Sequence, residues 1–198
     1  MWAELVLGLL VAEGPPLFYW GARAPVISVE NAGTPGEGVA ARIQEVHAAL
    51  DNELLVLRFT FDRTVREATF QGGAPVSGRL RANLYLDRDG DRTTGLDEGP
   101  ADLRTGADLR LEVGVVAVGE DPEEKIEASA LLMATLVSLA PDGRRKTLWR
   151  ADDAQNPREV SARGEWLELR LPALAQVRPE ARLILGLDDR TLDGRLRR

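Results

Sequence analysis

The feature that most limits what this chain can become is a two-residue alternation of apolar and polar side chains, which returns again and again after residue 40. Leu55, Leu57, Phe59 and Phe61 share one parity, and Arg58 and Thr60 the other. Leu80, Ala82, Leu84 and Leu86 alternate with Arg79, Arg81, Asn83 and Tyr85. Leu109, Leu111, Val113 and Val115 alternate with Arg110 and Glu112, and Leu167, Leu169 and Leu171 with Trp166, Glu168 and Arg170. A period of two puts successive side chains on opposite faces of a strand, so each run has one face for a core and one for water. Leu183, Leu185 and Leu187 close the series.

Turn chemistry punctuates these runs. Asp51-Asn52-Glu53 between Ala41–Leu50 and Leu54–Phe61 predicts one hairpin, and Pro141-Asp142-Gly143 between Ser129–Ala140 and Arg145–Arg150 a second. Residues 31–38 (NAGTPGEG), 71–78 (QGGAPVSG) and 119–125 (GEDPEEK) read as loops. The sum is eight or more antiparallel strands in an all-β, two-sheet, jelly-roll-like sandwich. Ser129–Leu139 leaves room for one short helix, because a short apolar run does not separate helix from strand. At 198 residues and 44% hydrophobic, the chain suffices for one such domain. Residues 25–198 are assigned to it, with 1–24 as an N-terminal segment.

That segment opens with an apolar run, Leu5 to Ala12, before Glu13-Gly14 and a proline pair. The run is too short to span a bilayer. It has the hydrophobic part of a secretory signal without the basic residues that normally precede it, so it reads equally as a buried strand near Phe18, Tyr19 and Trp20.

Between two of the alternating runs lies LYLDRDGDRTTGLDEGPADLRTGADLRLEV, residues 84–113. From Asp87 to Asp108 it holds seven acids and three arginines. Crowded carboxylates repel, and a hard divalent cation removes that cost; calcium accepts six to eight oxygens in flexible geometry. Asp87, Asp89 and Asp91 alternate, and Asp87 continues the outward parity of Asn83 and Tyr85. Asp108 shares the outward parity of Arg110 and Glu112. If the two strands are antiparallel neighbours, Asp87 and Asp108 meet on one face. The expected ligands are Asp87, Asp89, Asp91 and Asp108, and the expected cofactor is calcium. An EF-hand is a poor fit, since Arg92 stands where its glycine belongs and strands replace its helices.

LYLDRDGDRTTG followed by TGADLRLEV resembles a pattern of secreted bacterial β-sandwiches, the family-nine carbohydrate-binding modules and the related DOMON-like domains. The likeness covers about thirty residues, and Asp87, Asp89 and Asp108 fit its acidic positions. It implies a jelly-roll-like fold, an extracytoplasmic location, and sugar-binding, haem-binding or adhesive roles without catalysis.

The residues narrow these roles. A sugar platform needs exposed aromatics, and the candidates are Trp149, Trp166 and Tyr85, with Trp20 behind them. Haem would have to use His47, the single histidine, with Met133. A structural or interaction domain docking to an envelope component is the third reading. No GxSxG elbow, phosphate loop or HExxH appears, and no enzyme is expected. A net charge of −7 disfavours nucleic acid. The chain has no cysteine, which excludes disulfides and thiolate sites. Lys125 and Lys146 are the only lysines among 25 basic residues, an arginine bias that is a weak sign of a thermophile.

Overall fold

The computed structural model describes residues 15–29, 41–52, 54–65, 70–71, 74–75, 81–96, 106–118, 129–172, 181–186 and 191–196. The apolar run 5–12, the loops 31–38 and 119–125, and Asp97, Glu98 and Asp102 lie outside them. The strands are β1 (Ile27–Ser28), β2 (Ile43–Asp51), β3 (Leu54–Phe61), β4 (Phe70–Gln71), β5 (Ala74–Pro75), β6 (Arg81–Asp87) and β7 (Leu109–Val118), then β8 (Ser129–Leu139), β9 (Arg145–Asp152), β10 (Val160–Arg163), β11 (Trp166–Arg170), β12 (Arg182–Gly186) and β13 (Thr191–Arg195). They form a five-stranded sheet in the order β1-β2-β3-β11-β10, a six-stranded sheet in the order β13-β12-β6-β7-β8-β9, and the small pair β4-β5. The pairings within the two large sheets are antiparallel. The protein is the β-sandwich that the alternation requires.

Both hairpins form where the turn residues place them. Asn52 turns β2 into β3 at φ 49°, a left-handed conformation that asparagine tolerates better than most residues. Gly143 turns β8 into β9 at φ 81°. Ser129–Leu139 is a strand paired with β7 from Ser129 to Ser138, so the possible helix there is not formed. The long cross-strand ladder settles what the short apolar run left open. Among the described residues only Val65 is helical.

The inner faces meet in one aliphatic core. Leu55, Leu57, Phe59, Phe61, Leu167, Leu169 and Leu171 come from the five-stranded sheet, and Leu84, Leu86, Leu111, Leu136, Leu183 and Leu185 from the six-stranded sheet. Each such side chain contributes about 1.5–3 kcal/mol on burial. At the outer end of the six-stranded sheet a bulge leaves Leu148 without an opposite residue, between Thr147, which faces Val137, and Trp149, which faces Leu136. The extra residue lets both Leu148 and Trp149 pack against the core.

The open side between β1 and β13 is closed by backbone approach. A Cβ at Gly194 would collide with the Val26 carbonyl oxygen and stand 2.7 Å from Ile27 Cγ1. Only the lack of a side chain lets β13 lie this near β1. Gly194→Ala is expected to lower the unfolding free energy by about 1–3 kcal/mol through overpacking, read as a lower denaturant midpoint at unchanged slope.

Candidate functional site: an acidic loop on one sheet and a strapped aromatic face on the other

β6 and β7 are antiparallel with Leu86 opposite Leu109, which sets Asp87 opposite Asp108 just beyond the last paired residues. The parity of both strands turns the two carboxylates to the outer face. The chain leaves β6 through a turn in which Gly90, at φ 75°, donates its N–H to Asp87 Oδ1 at 2.7 Å. That turn brings Asp89 back over the sheet. Carboxylate oxygens of Asp87, Asp89 and Asp108 lie within 4.8 Å of one another. Oxygens around a single calcium at its usual 2.3–2.6 Å are about 3.3–5 Å apart, so this spacing suits one hard cation.

Each acid is held from elsewhere. Asp87 is fully buried and pairs with the buried Arg182, whose Nη1 donates to Oδ2 at 3.0 Å. Arg182 stands directly opposite Asp87 on β12. Burial pushes the Asp87 carboxyl above its ordinary value, against the opposing pull of the Gly90 N–H and Arg182. Asp89 accepts from the Asp91 N–H at 2.9 Å and the Thr94 hydroxyl at 3.2 Å. Asp108 Oδ2 accepts from the Arg88 N–H at 2.9 Å, with Arg88 Nε at 3.7 Å.

Asp91, the fourth expected ligand, is directed elsewhere. Its carboxylate accepts from the N–H and hydroxyl of Thr93, at 2.9 and 2.7 Å, and these bonds hold its pKa below the ordinary value. The acidic group is therefore a triad, with Asp91 building the turn that carries Asp89.

Two glycines clamp the loop. Gly95 (φ 74°) and Gly106 (φ 61°) lie so close to the opposing limb that a Cβ on Gly95 would stand 2.6 Å from the Ala107 carbonyl oxygen. A Cβ on Gly106 would stand 2.7 Å from Arg92 Cα. Beside them Leu96 and Ala107 exchange N–H···O bonds of 2.9 and 3.2 Å. Leu96 and Ala107 then cover Tyr85, Val137, Leu139 and Ile184, a small apolar cluster on the outer face. Tyr85 is outward by parity, as expected, but only 8% exposed, so it is a floor for the loop and no sugar platform.

Trp149 also departs from the platform reading. Its ring packs on the core and its indole N–H donates to Glu159 at 3.0 Å. Trp166 is half-buried on the outer face of the five-stranded sheet, opposite Thr60 on β3 and Arg163 on β10. The Arg58 guanidinium lies 5.0 Å from the Trp166 ring centroid and 5.1 Å from that of Trp20.

Trp20 belongs to a strap. Residues 15–20 cross the back of this sheet and then turn into β1, so the described part of the N-terminal segment is folded onto the sandwich. Ser161 on β10 donates to the Pro15 carbonyl at 2.7 Å. On β11, Arg170 donates to the Leu17 carbonyl at 2.6 Å, and Glu168 accepts from the Leu17 N–H at 2.6 Å. Glu168 also accepts from the Trp20 indole at 2.5 Å and from Arg58 Nη2 at 2.7 Å. Trp20 covers Ala49 and Val56 and meets His47 edge to face at 5.8 Å. Glu168 and Arg182 escaped the sequence reading. Alternation places both outward, and nothing local says that an outward charge will be buried.

No protein-family model, curated protein or solved structure matches this chain.

His47 reports on the strap. Burial lowers its pKa below 6.5, with Glu45 opposing and Arg58 assisting. A depressed native pKa gives stability that is fully present above the unfolded value and lost as pH falls through the native one. Lowering the pH from neutral towards 5 should therefore lower the denaturant midpoint, and His47→Gln should show a smaller fall over the same range.

Proposed function

We propose that this protein is a non-catalytic recognition sandwich, extracytoplasmic, in which calcium braces the loop between β6 and β7. The observation that carries the cation is the convergence of Asp87, Asp89 and Asp108, from two strand ends and a turn, to within 4.8 Å. All the donors are carboxylate oxygens, which favours a hard ion such as calcium over zinc or copper. Arg182 neutralises Asp87 from the sheet side and is 4% exposed, so it stays when a cation enters. The Arg88 side chain is 43% exposed and reaches Asp108 only at 3.7 Å, so it can yield to the ion. The resemblance of LYLDRDGDRTTG and TGADLRLEV to secreted sugar-binding sandwiches supports export. No helix among the described residues is long and apolar enough to cross a membrane.

Asp89 is the residue to change in a test, because Asp87→Ala would strand the buried Arg182 and destabilise the fold by itself. Adding calcium to chelator-stripped protein at a hundredfold excess over its dissociation constant should raise the melting temperature by about 5–10 °C. Asp89→Asn should abolish most of the rise. An unchanged melt in wild type, with no metal found in natively purified protein, would remove the cation from the reading.

Carbohydrate is the proposed ligand, and Trp166 is the aromatic that favours it. Its half-exposed ring is backed by Arg58 and flanked by Thr60 and Arg163, whose polar groups suit the hydroxyls around a sugar ring. Trp166→Ala should weaken oligosaccharide binding about tenfold or more without lowering the calcium-dependent melt. A glycan array without a single binder would leave the envelope-component reading in its place.

A further inference from the structure

The back of the five-stranded sheet is built as a receptor for a short peptide, and residues 15–20 occupy it. Four hydrogen bonds among the described residues tie this arm to the sheet, and all end on sheet side chains: Ser161, Arg170 and, twice, Glu168. Three of the four read the arm's main chain, at the Pro15 carbonyl and the Leu17 carbonyl and N–H. The fourth reads the Trp20 indole, whose ring fills a pocket floored by Ala49 and Val56. Strand side chains thus supply every group that holds the arm, which bends at Leu17 and Phe18 and carries one buried aromatic anchor, Trp20. Its reach also fits: five residue steps extend about 17 Å, against about 14 Å across the three strand spacings from β10 to β2.

The arm joins the sandwich through a hinge. Residues 21–24 are exposed, Gly21 lies at φ 54°, and the Arg23 N–H bonds back to the Trp20 carbonyl at 3.2 Å. Beyond the hinge, β1 is held independently by its ladder to β2. A hinge between a ligand-like arm and an independently paired strand is the arrangement from which identical arms exchange between copies, with each groove filled by the same contacts.

We propose that a second copy of this chain is the other occupant of the groove, so that two molecules exchange residues 15–20 and form a closed two-fold dimer. The tethered arm competes at an effective concentration in the millimolar range. The exchanged form is therefore expected at comparable protein concentration, or after refolding from denaturant at high concentration.

Two measurements test this. The chain has no cysteine, so Pro15→Cys and Arg163→Cys, both at exposed positions at the β10 end of the groove, each introduce a single thiol. With a short bis-maleimide, the double variant at micromolar concentration should cross-link within one molecule and verify the geometry. The two single variants, one isotope-labelled, are co-refolded at about millimolar concentration. They should then give a mixed cross-link between positions 15 and 163 identified by mass spectrometry. Internal cross-linking of the double variant with no mixed product from the single variants would overturn the proposal. The second measurement uses Gly21→Pro, which cannot keep φ 54° because proline fixes φ near −65°. It opens the hinge and should shift the protein to a dimer by light scattering. A folded Gly21→Pro monomer would equally overturn exchange.

Discussion

The parity of the aliphatic core governs everything else in this molecule. The inner positions of both sheets are filled by leucine, isoleucine, phenylalanine, valine and alanine, and each strand that crosses the core is locked to one register by them. A slip of one residue along β6 would send Leu84 and Leu86 to water and bring Tyr85 and Asp87 into the core. Because that slip is so costly, the outward side chains are positioned as firmly as the inward ones. Asp87 and Asp108 face the same way on adjacent strands for that reason, and so do Arg58, Glu168 and Trp166.

Each sheet uses its outer face in the same manner. A carboxylate that is fully buried lies on the back of the sheet, paired with an arginine from the neighbouring strand: Asp87 with Arg182 on one, Glu168 with Arg58 on the other. An irregular segment then folds over it, the loop after β6 in the first case and the strap before β1 in the second. Side chains beside each carboxylate make a small apolar patch under the cover: Tyr85, Val137, Leu139 and Ile184 beneath Leu96 and Ala107, and Ala49 and Val56 beneath Trp20. A paired, hydrogen-bonded charge of this kind adds little net stability by itself, but removing one partner leaves an uncompensated buried ion. The covers are thus held in place by penalties for misplacing them as much as by attraction.

The strands were legible because a period of two is visible in single residues, and the two hairpins because Asn52 and Gly143 are what such turns need. The meeting of Asp87 and Asp108 followed from the same parity once β6 and β7 were taken as neighbours, whereas Asp89 joins them through the turn at Gly90. Asp91 stands outside the converging group, because its alternation with Asp89 says nothing about the Thr93 N–H and hydroxyl that meet its Oδ1. Tyr85 was placed on the correct face, yet the return limb of the loop covers it, and covering depends on contacts between residues far apart in the chain. The short strands β1, β4, β5 and β10 carry too few residues to display a period, β13 (TLDGR) offers only one large apolar residue, Leu192, and the strap has no period at all. Its anchors, Ser161, Glu168 and Arg170, lie about 150 residues downstream of the segment they hold.

The Leu96–Ala107 bridge has a consequence for how this loop can change. By joining the two limbs next to the Gly95 and Gly106 contacts, it closes the acidic turn into a short ring that begins and ends in β6 and β7. The hold on Asp89 is therefore set by chain closure as well as by strand register: one added methyl at Gly95 or Gly106 would meet backbone atoms of the opposite limb and spring the ring.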